Sequence, residues 1–302
     1  MREKRTHSQA AFTLIELSIV LVIIGLIVGG VLVGRDLISA AAVRAQISQI
    51  EKYQTAVNTF RGKYGYLPGD IPDPAATQFG FQPRGTLPGQ GDGNGQLQGH
   101  SNGGAAYGLL ANGENNMFWV DLSTAHLIDG SFSLAHATDI NVINSGADAV
   151  LAGYFPAAKL GQGSYVYVYS DGASIPSGWN PQNYYGISHL FIISSQNIGT
   201  ESLTVRQAYD IDKKLDDGLP QSGNVIAFFT MNAWAGSGEG DDPDNGINGG
   251  PYTTPVPGDP TTCFDNSTSN SGTPGVNGNP QHYSLEINNG LNVNCALSFR
   301  FQ

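Results

Sequence analysis

Charge is scarce in this chain: only 13% of its 302 residues are Asp, Glu, Lys or Arg, against about 25% in an average soluble protein. Basic residues are scarcer still, 14 Lys and Arg against 25 Asp and Glu, for a net charge of −11. A nucleic-acid binder needs Lys and Arg to displace counterions from phosphate, and no basic cluster lies beyond the extreme N-terminus, so that class is excluded. Cysteine is nearly absent. The two present, Cys263 and Cys295, exclude a disulfide-dense mini-scaffold and a zinc site of four thiolates. Proline is missing before Pro68, which leaves a long stretch without a helix breaker. Glycine is in excess, with 40 Gly and 16 Pro, yet the two together stay below the roughly 25–30% that marks wholesale disorder. Forty per cent apolar residues suffice for a substantial core, in one large domain or two small ones.

What is present is concentrated at the N-terminus. Arg2, Lys4 and Arg5 precede an apolar run over residues 12–34 that contains one charge, Glu16, and Arg35 follows it. As a helix the run is about 34 Å long, enough to cross a hydrocarbon core of about 30 Å. The flanking charges place the short N-terminus in the cytoplasm and everything after the helix across the membrane. A secretory signal with cleavage near Ser39-Ala40-Ala41-Ala42 is the alternative, but its apolar core is usually only about 7–15 residues. A carboxylate at membrane depth costs roughly 2.5–3.5 kcal/mol mid-bilayer and marks a functional position by default, which singles out Glu16.

Ala11-Phe12-Thr13-Leu14-Ile15-Glu16-Leu17, after a short basic leader, resembles the class III signal of type IV pilins and type II secretion pseudopilins. The resemblance implies that a prepilin peptidase cuts between Ala11 and Phe12 and N-methylates the new Phe12 amine. It implies that Glu16 then pairs with the N-terminal amine of a neighbouring subunit during assembly. Two charges inside lipid are tolerable as a mutually satisfied pair. Ala11 stands where the family usually has Gly. Three segments of this expected organisation follow: a leader at 1–11, a transmembrane and amphipathic helix at 12–63, and a periplasmic or extracellular head at 64–302. The implied partners are other pilin or pseudopilin subunits, the prepilin peptidase and an inner-membrane assembly platform, with no nucleic acid.

Past the membrane, Val43, Ile47, Ile50, Val57, Phe60 and Tyr64 form an amphipathic stripe. One helix from about residue 12 to 61 is expected, with Arg61-Gly62-Lys63 at its C-terminal end. Gly25, Gly29, Gly30 and Gly34 are candidates either for local unwinding or for close helix packing in the membrane. From Tyr64 onward turn signals multiply. A helix is expected over 116–128, strands over 164–170, 189–194, 224–230, 282–287 and 295–301, and a flexible loop over 85–104. The sum is an α+β fold, a long helix packed on a mostly antiparallel sheet. Tyr66-Leu67-Pro68-Gly69-Asp70, Gly91-Asp92-Gly93-Asn94-Gly95, the segment 119–130 and the segment 210–218 also resemble a set of pilin-like proteins.

The head carries no catalytic constellation legible in sequence, and an enzyme is not expected. G-x-S-x-G and S-x-x-K are missing, and the six histidines have no ligand spacing. Three acidic loops carry Ca²⁺-type ligands: Asp92 and Asn94; Asp210, Asp212, Asp216 and Asp217; and Glu239, Asp241, Asp242, Asp244 and Asn245. None has EF-hand spacing, and solvated turns capped by Asx side chains are the preferred reading of all three. Cys263 and Cys295, both on the exported side, are expected to form a disulfide, as in the C-terminal region of many pilins, with free thiols the alternative. The head of 239 residues is larger than a fibre-building subunit needs and favours a minor one. An adhesive tip pilin whose head recognises a surface or secreted partner is the second reading.

Overall fold

The structure, a computed structural model, describes residues 14–101, 104, 106–107, 111–139, 148–170, 182–193, 197–220, 222–227, 262–265 and 282–301. Its helices are α1 (Leu14–Tyr64), α2 (Ala75–Gln78), α3 (Gly113–Thr124), α4 (Asp148–Leu151) and α5 (Val205–Leu215). Its strands are β1 (Gly99–His100), β2 (Ala106–Tyr107), β3 (Ser164–Ser170), β4 (Asn183–Ile193), β5 (Asn197–Thr200) and β6 (Leu203–Thr204). They continue as β7 (Val225–Ile226), β8 (Phe264–Asp265), β9 (His282–Tyr283), β10 (Val293–Cys295) and β11 (Leu297–Arg300). The chain divides into two units, 1–42 and 43–302.

The first unit holds the apolar half of α1. Its most hydrophobic window is wholly unburied, and Leu14, Leu26 and Ile38 are largely exposed. The helix runs without a break through all four glycines, and a Cβ added at any of them would touch nothing within 4 Å. The unwinding that glycine permits is therefore not realised in this chain, because uninterrupted i to i−4 bonds outweigh a propensity deficit of about 1 kcal/mol per glycine.

The second unit is built on the other half of α1. Of the expected stripe, Val43, Ile47, Ile50, Val57 and Phe60 are covered, joined by Tyr53 and Ala56, while Tyr64 at its end is partly buried. Two glutamines on the same face dock the helix onto the segment before β3. Gln49 Nε2 donates to the Ala157 carbonyl (2.9 Å) while its Oε1 accepts from Lys159 N (3.1 Å), and Gln46 Oε1 accepts from Leu160 N (3.3 Å). These part-buried bonds tie a non-helical segment to the helix face.

The sheet runs β3-β4-β11-β7, antiparallel throughout, with β5 paired to the far end of β4. Every residue of β3 is buried, and since alternate side chains face opposite ways, both faces of the sheet are covered there. Gly186 in β4 makes this possible, because a Cβ at that position would sit 2.4 Å from the Tyr167 ring on β3. The aromatic centre comprises Tyr53, Phe118, Trp119, Tyr185 and Phe301, with Tyr53 edge-on to Trp119 at 4.9 Å and Phe301 stacked on Tyr185 at 4.2 Å. The protein is thus an α+β fold with a long helix packed on an antiparallel sheet.

Several local expectations are corrected. The short helix lies at Gly113–Thr124, starting three residues before the expected 116, because Glu114 is drawn inward by backbone donors described below. The strand expected at 189–194 is the second half of β4, whose first half, Asn-Tyr-Tyr-Gly, carries too little apolar alternation to be read alone. The strand expected at 282–287 ends after Tyr283 in a turn and a 3₁₀ segment at Asn288–Gly290. Residues 295–301 divide at Ala296 into β10, paired with β6, and β11 in the main sheet. Of 224–230, Val225 and Ile226 form β7, while 228–230 lie outside the described residues.

Candidate functional site

Two places in the chain carry chemistry. The first is the start of α1. Glu16 lies near the first described residues of α1 and is exposed. Ala11 and Phe12, the residues expected to flank a cleavage, lie outside the described residues.

The second is an acidic cluster at the N-terminal end of α3, with two of its three carboxylates buried and Asp92 exposed. Asp70, at the end of the turn after α1, and Glu114, in the first turn of α3, are 1% and 0% exposed, and Asp92 comes from the glycine-rich segment between them. One carboxylate oxygen from each lies within 4.8 Å of the others. The glycine segment wraps around them. Gly91 N and Asp92 N donate to Glu114 Oε1 (2.9 and 3.2 Å), and Gln98 N donates to Oε2 (2.9 Å). Gly93 N and Gly95 N donate to the two Asp70 oxygens (2.7 and 2.8 Å). The segment expected to be a free loop is therefore pinned, because its alternating N–H groups find buried acceptors from distant parts of the chain. Gly69 makes the approach possible: it has φ +85° and a Cβ there would lie 2.3 Å from the Glu114 carbonyl oxygen.

Burial raises the Asp70 carboxyl to about 7, against the bonds from Gly95 and Gly93, with Asp92 adding to the rise. Glu114 is pushed well above the usual carboxylate range, first by burial and then by the charges of Asp70 and Asp92. The donor set is oxygen-only and anionic, which suits a hard cation of the Ca²⁺ type rather than zinc. Of the residues expected to act this way, Asp92 belongs to the cluster. Asn94 does not, since its side chain serves Gln96 N and Gln98 Oε1. Asp241 and Asp244 lie outside the described residues. Asp70 and Glu114 were missed as candidates; the signal for Asp70 was its place in the Tyr66–Asp70 turn, and Glu114 has none without the fold.

Beside this cluster, Arg84 and Asp121 form an ion pair with both side chains fully buried, Nη2 reaching the two carboxylate oxygens at 2.7 and 2.6 Å. Asp121 also accepts from Gly69 N (2.6 Å), and Arg84 Nε donates to the Ile71 carbonyl (3.1 Å). The pair thus locks the turn after α1 against α3.

The other acidic loop also gathers carboxylates, one oxygen each from Asp212, Asp216 and Asp217 lying within 4.8 Å of the others, and these side chains act as caps as well. Asp216 Oδ2 accepts from Val225 N, and Asp217 accepts from Leu219 N and Ser222 Oγ. Asp212 is buried, accepts from Tyr283 Oη (2.8 Å) and Gly218 N (3.0 Å), and is raised by burial to about 7. Cys263 and Cys295 are bonded, tying the β8–β9 pair to β10.

Residues 6–32 match the family model described as the prokaryotic N-terminal methylation motif. The chain carries the prepilin-type motif of type IV pilins and pseudopilins. The matched stretch is less than a tenth of the 302 residues and contains Glu16 and Gly25, Gly29 and Gly30 of the exposed apolar helix. No curated protein and no solved structure matches the chain. The motif supports a type IV pilin-like or pseudopilin subunit, and the single described helix long and apolar enough to cross a membrane fits membrane anchoring.

Proposed function

We propose that this protein is a minor pilin or pseudopilin: a membrane-stored precursor, cut by a prepilin peptidase before Phe12, N-methylated there, and assembled through its N-terminal helix into a type IV pilus or type II secretion pseudopilus. The observation that carries the reading is the methylation motif at 6–32 running directly into a helix whose apolar half is unburied within its own chain. Such a surface needs lipid first and other helices afterwards. Glu16 supplies the charge that pairs with a neighbouring Phe12 amine in the apolar fibre. The head from about Val43 stands outside the cytoplasm, where Cys263 and Cys295 oxidise. Its role is structural rather than enzymatic.

Intact mass and N-terminal sequencing of membrane-extracted protein test the processing. The expected mature chain begins at methylated Phe12; a start at Ala42 or Val43 means an ordinary signal peptide and ends the proposal. Glu16→Val tests assembly. The variant leaves a neighbouring ammonium unpaired in low dielectric, which costs more than removing both charges. It is expected to be cleaved and to remain in the membrane, yet to be lost from filaments; incorporation at wild-type levels would show that Glu16 has no part in assembly.

A further inference from the structure

A cleft of about 360 Å³ opens between the amphipathic half of α1 and the C-terminal end of β11, lined by Gln54, Val57, Asn58, Asn224, Arg300 and Phe301. That volume falls within the roughly 300–1,000 Å³ of small-ligand sites. Its lining has a distinct chemistry: three carboxamides, one guanidinium, an aliphatic and an aromatic side chain, and no carboxylate.

The groups are positioned, not merely near. Arg300 N donates to the Asn224 carbonyl (2.7 Å), and Arg300 Nε and Nη2 both donate to Asn224 Oδ1, Nε at 2.9 Å. The guanidinium is thereby oriented by a neutral partner, and among the described residues it meets no carboxylate. Gln54 and Asn58 stand one turn apart on α1 and so share a face; their carboxamides make no hydrogen bond among the described residues. Val57 is buried, and Phe301 is backed by Tyr185 at 4.2 Å and Phe118 at 5.9 Å, which makes the apolar wall rigid.

We infer that this cleft binds a small polyhydroxylated carboxylate of the acidic-sugar type. The planar guanidinium matches a carboxylate by charge-assisted bonds. Two unengaged carboxamides offer donors and acceptors to hydroxyls, and the Val57–Phe301 wall takes the C–H face of a ring. No carboxylate lines the cleft to draw a cation. The inference is independent of the filament reading, since every residue it uses lies in the unit 43–302.

Titration calorimetry of the detergent-solubilised full chain with glucuronate, glucose and acetate tests it. Glucuronate is expected to saturate the site and to bind at least about tenfold more tightly than glucose, which lacks the carboxylate, or acetate, which lacks the hydroxyls. Arg300→Gln should bring glucuronate down to the level of glucose. Asn58→Leu, at an exposed position of α1, removes one of the two unengaged carboxamides and should weaken glucuronate binding at least about tenfold, and it serves if Arg300→Gln does not fold. Absence of saturable glucuronate binding, or undiminished binding in the folded variants, overturns the site. Acetate equal to glucuronate overturns the sugar assignment, and glucose equal to glucuronate overturns the role of Arg300.

Discussion

Breaking the Arg84–Asp121 pair should be the most damaging single change in the head, and the two ways of breaking it should differ. Both side chains are fully buried, and Asp121 is also the acceptor for Gly69 N. Asp121→Ala leaves a guanidinium that has no neutral form within reach and strips a buried N–H of its partner. Losing one member of a buried pair costs about 3–5 kcal/mol, a large share of a total stability of about 5–15 kcal/mol. At about 2–4 °C per kcal/mol for a domain of this size, the melting temperature should fall by on the order of 10 °C. Arg84→Met leaves a carboxyl that burial already raises against the pull of Arg84, so it takes up a proton instead, and lowering the pH should restore much of its loss. Acid should do nothing comparable for Asp121→Ala. The double change Arg84→Met with Asp121→Leu removes both charges and should cost less than Asp121→Ala alone. Urea and thermal unfolding of the detergent-solubilised chain, followed by tryptophan fluorescence with fully buried Trp119 as a reporter, measure all three. A cost under about 1 kcal/mol for Asp121→Ala, or strict additivity in the double variant, would refute the reasoning.

Two other expectations follow from the same core. Asp212 keeps its proton to about pH 7 in the folded chain, well above the ordinary aspartate value of 3.8, so the folded state holds more protons than the unfolded across that window. Its contribution is therefore fully present below about pH 4 and is lost as pH rises through about 7, by up to about 1.4 kcal/mol per pH unit; Asp212→Asn should gain on the wild type in urea midpoint from pH 5 to pH 8, and a constant difference would count against it. Non-reducing peptide mapping should recover Cys263 and Cys295 as one crosslinked pair, and replacing both by Ser should lower stability by about 2–4 kcal/mol; full alkylation of both thiols without reductant would contradict the bond.

The anchor helix was legible in the sequence because its information is local. An apolar run of membrane length, one carboxylate within it, no proline before Pro68 and a stripe from Val43 to Phe60 each bear on neighbours three or four residues away. The methylation motif is of the same kind, a short stretch at a chain end. The alternating Tyr and Val of β3 were readable for that reason too. What the tertiary structure alone decided is where distant segments meet. Residues 184–187 of β4 pair with 297–300 of β11 across more than a hundred residues, a register no local pattern encodes. Glu114 sits in a helix whose sequence gives no sign of a buried carboxylate, and only the fold sets it beside Asp70 and Asp92. The glycine segment from Gly89 to Gly95 read as slack because glycine imposes no conformation of its own. It is held because those carboxylates, brought from both sides of it, accept its N–H groups, and a buried acceptor is satisfied by whichever donor the packing delivers, whatever its distance along the chain.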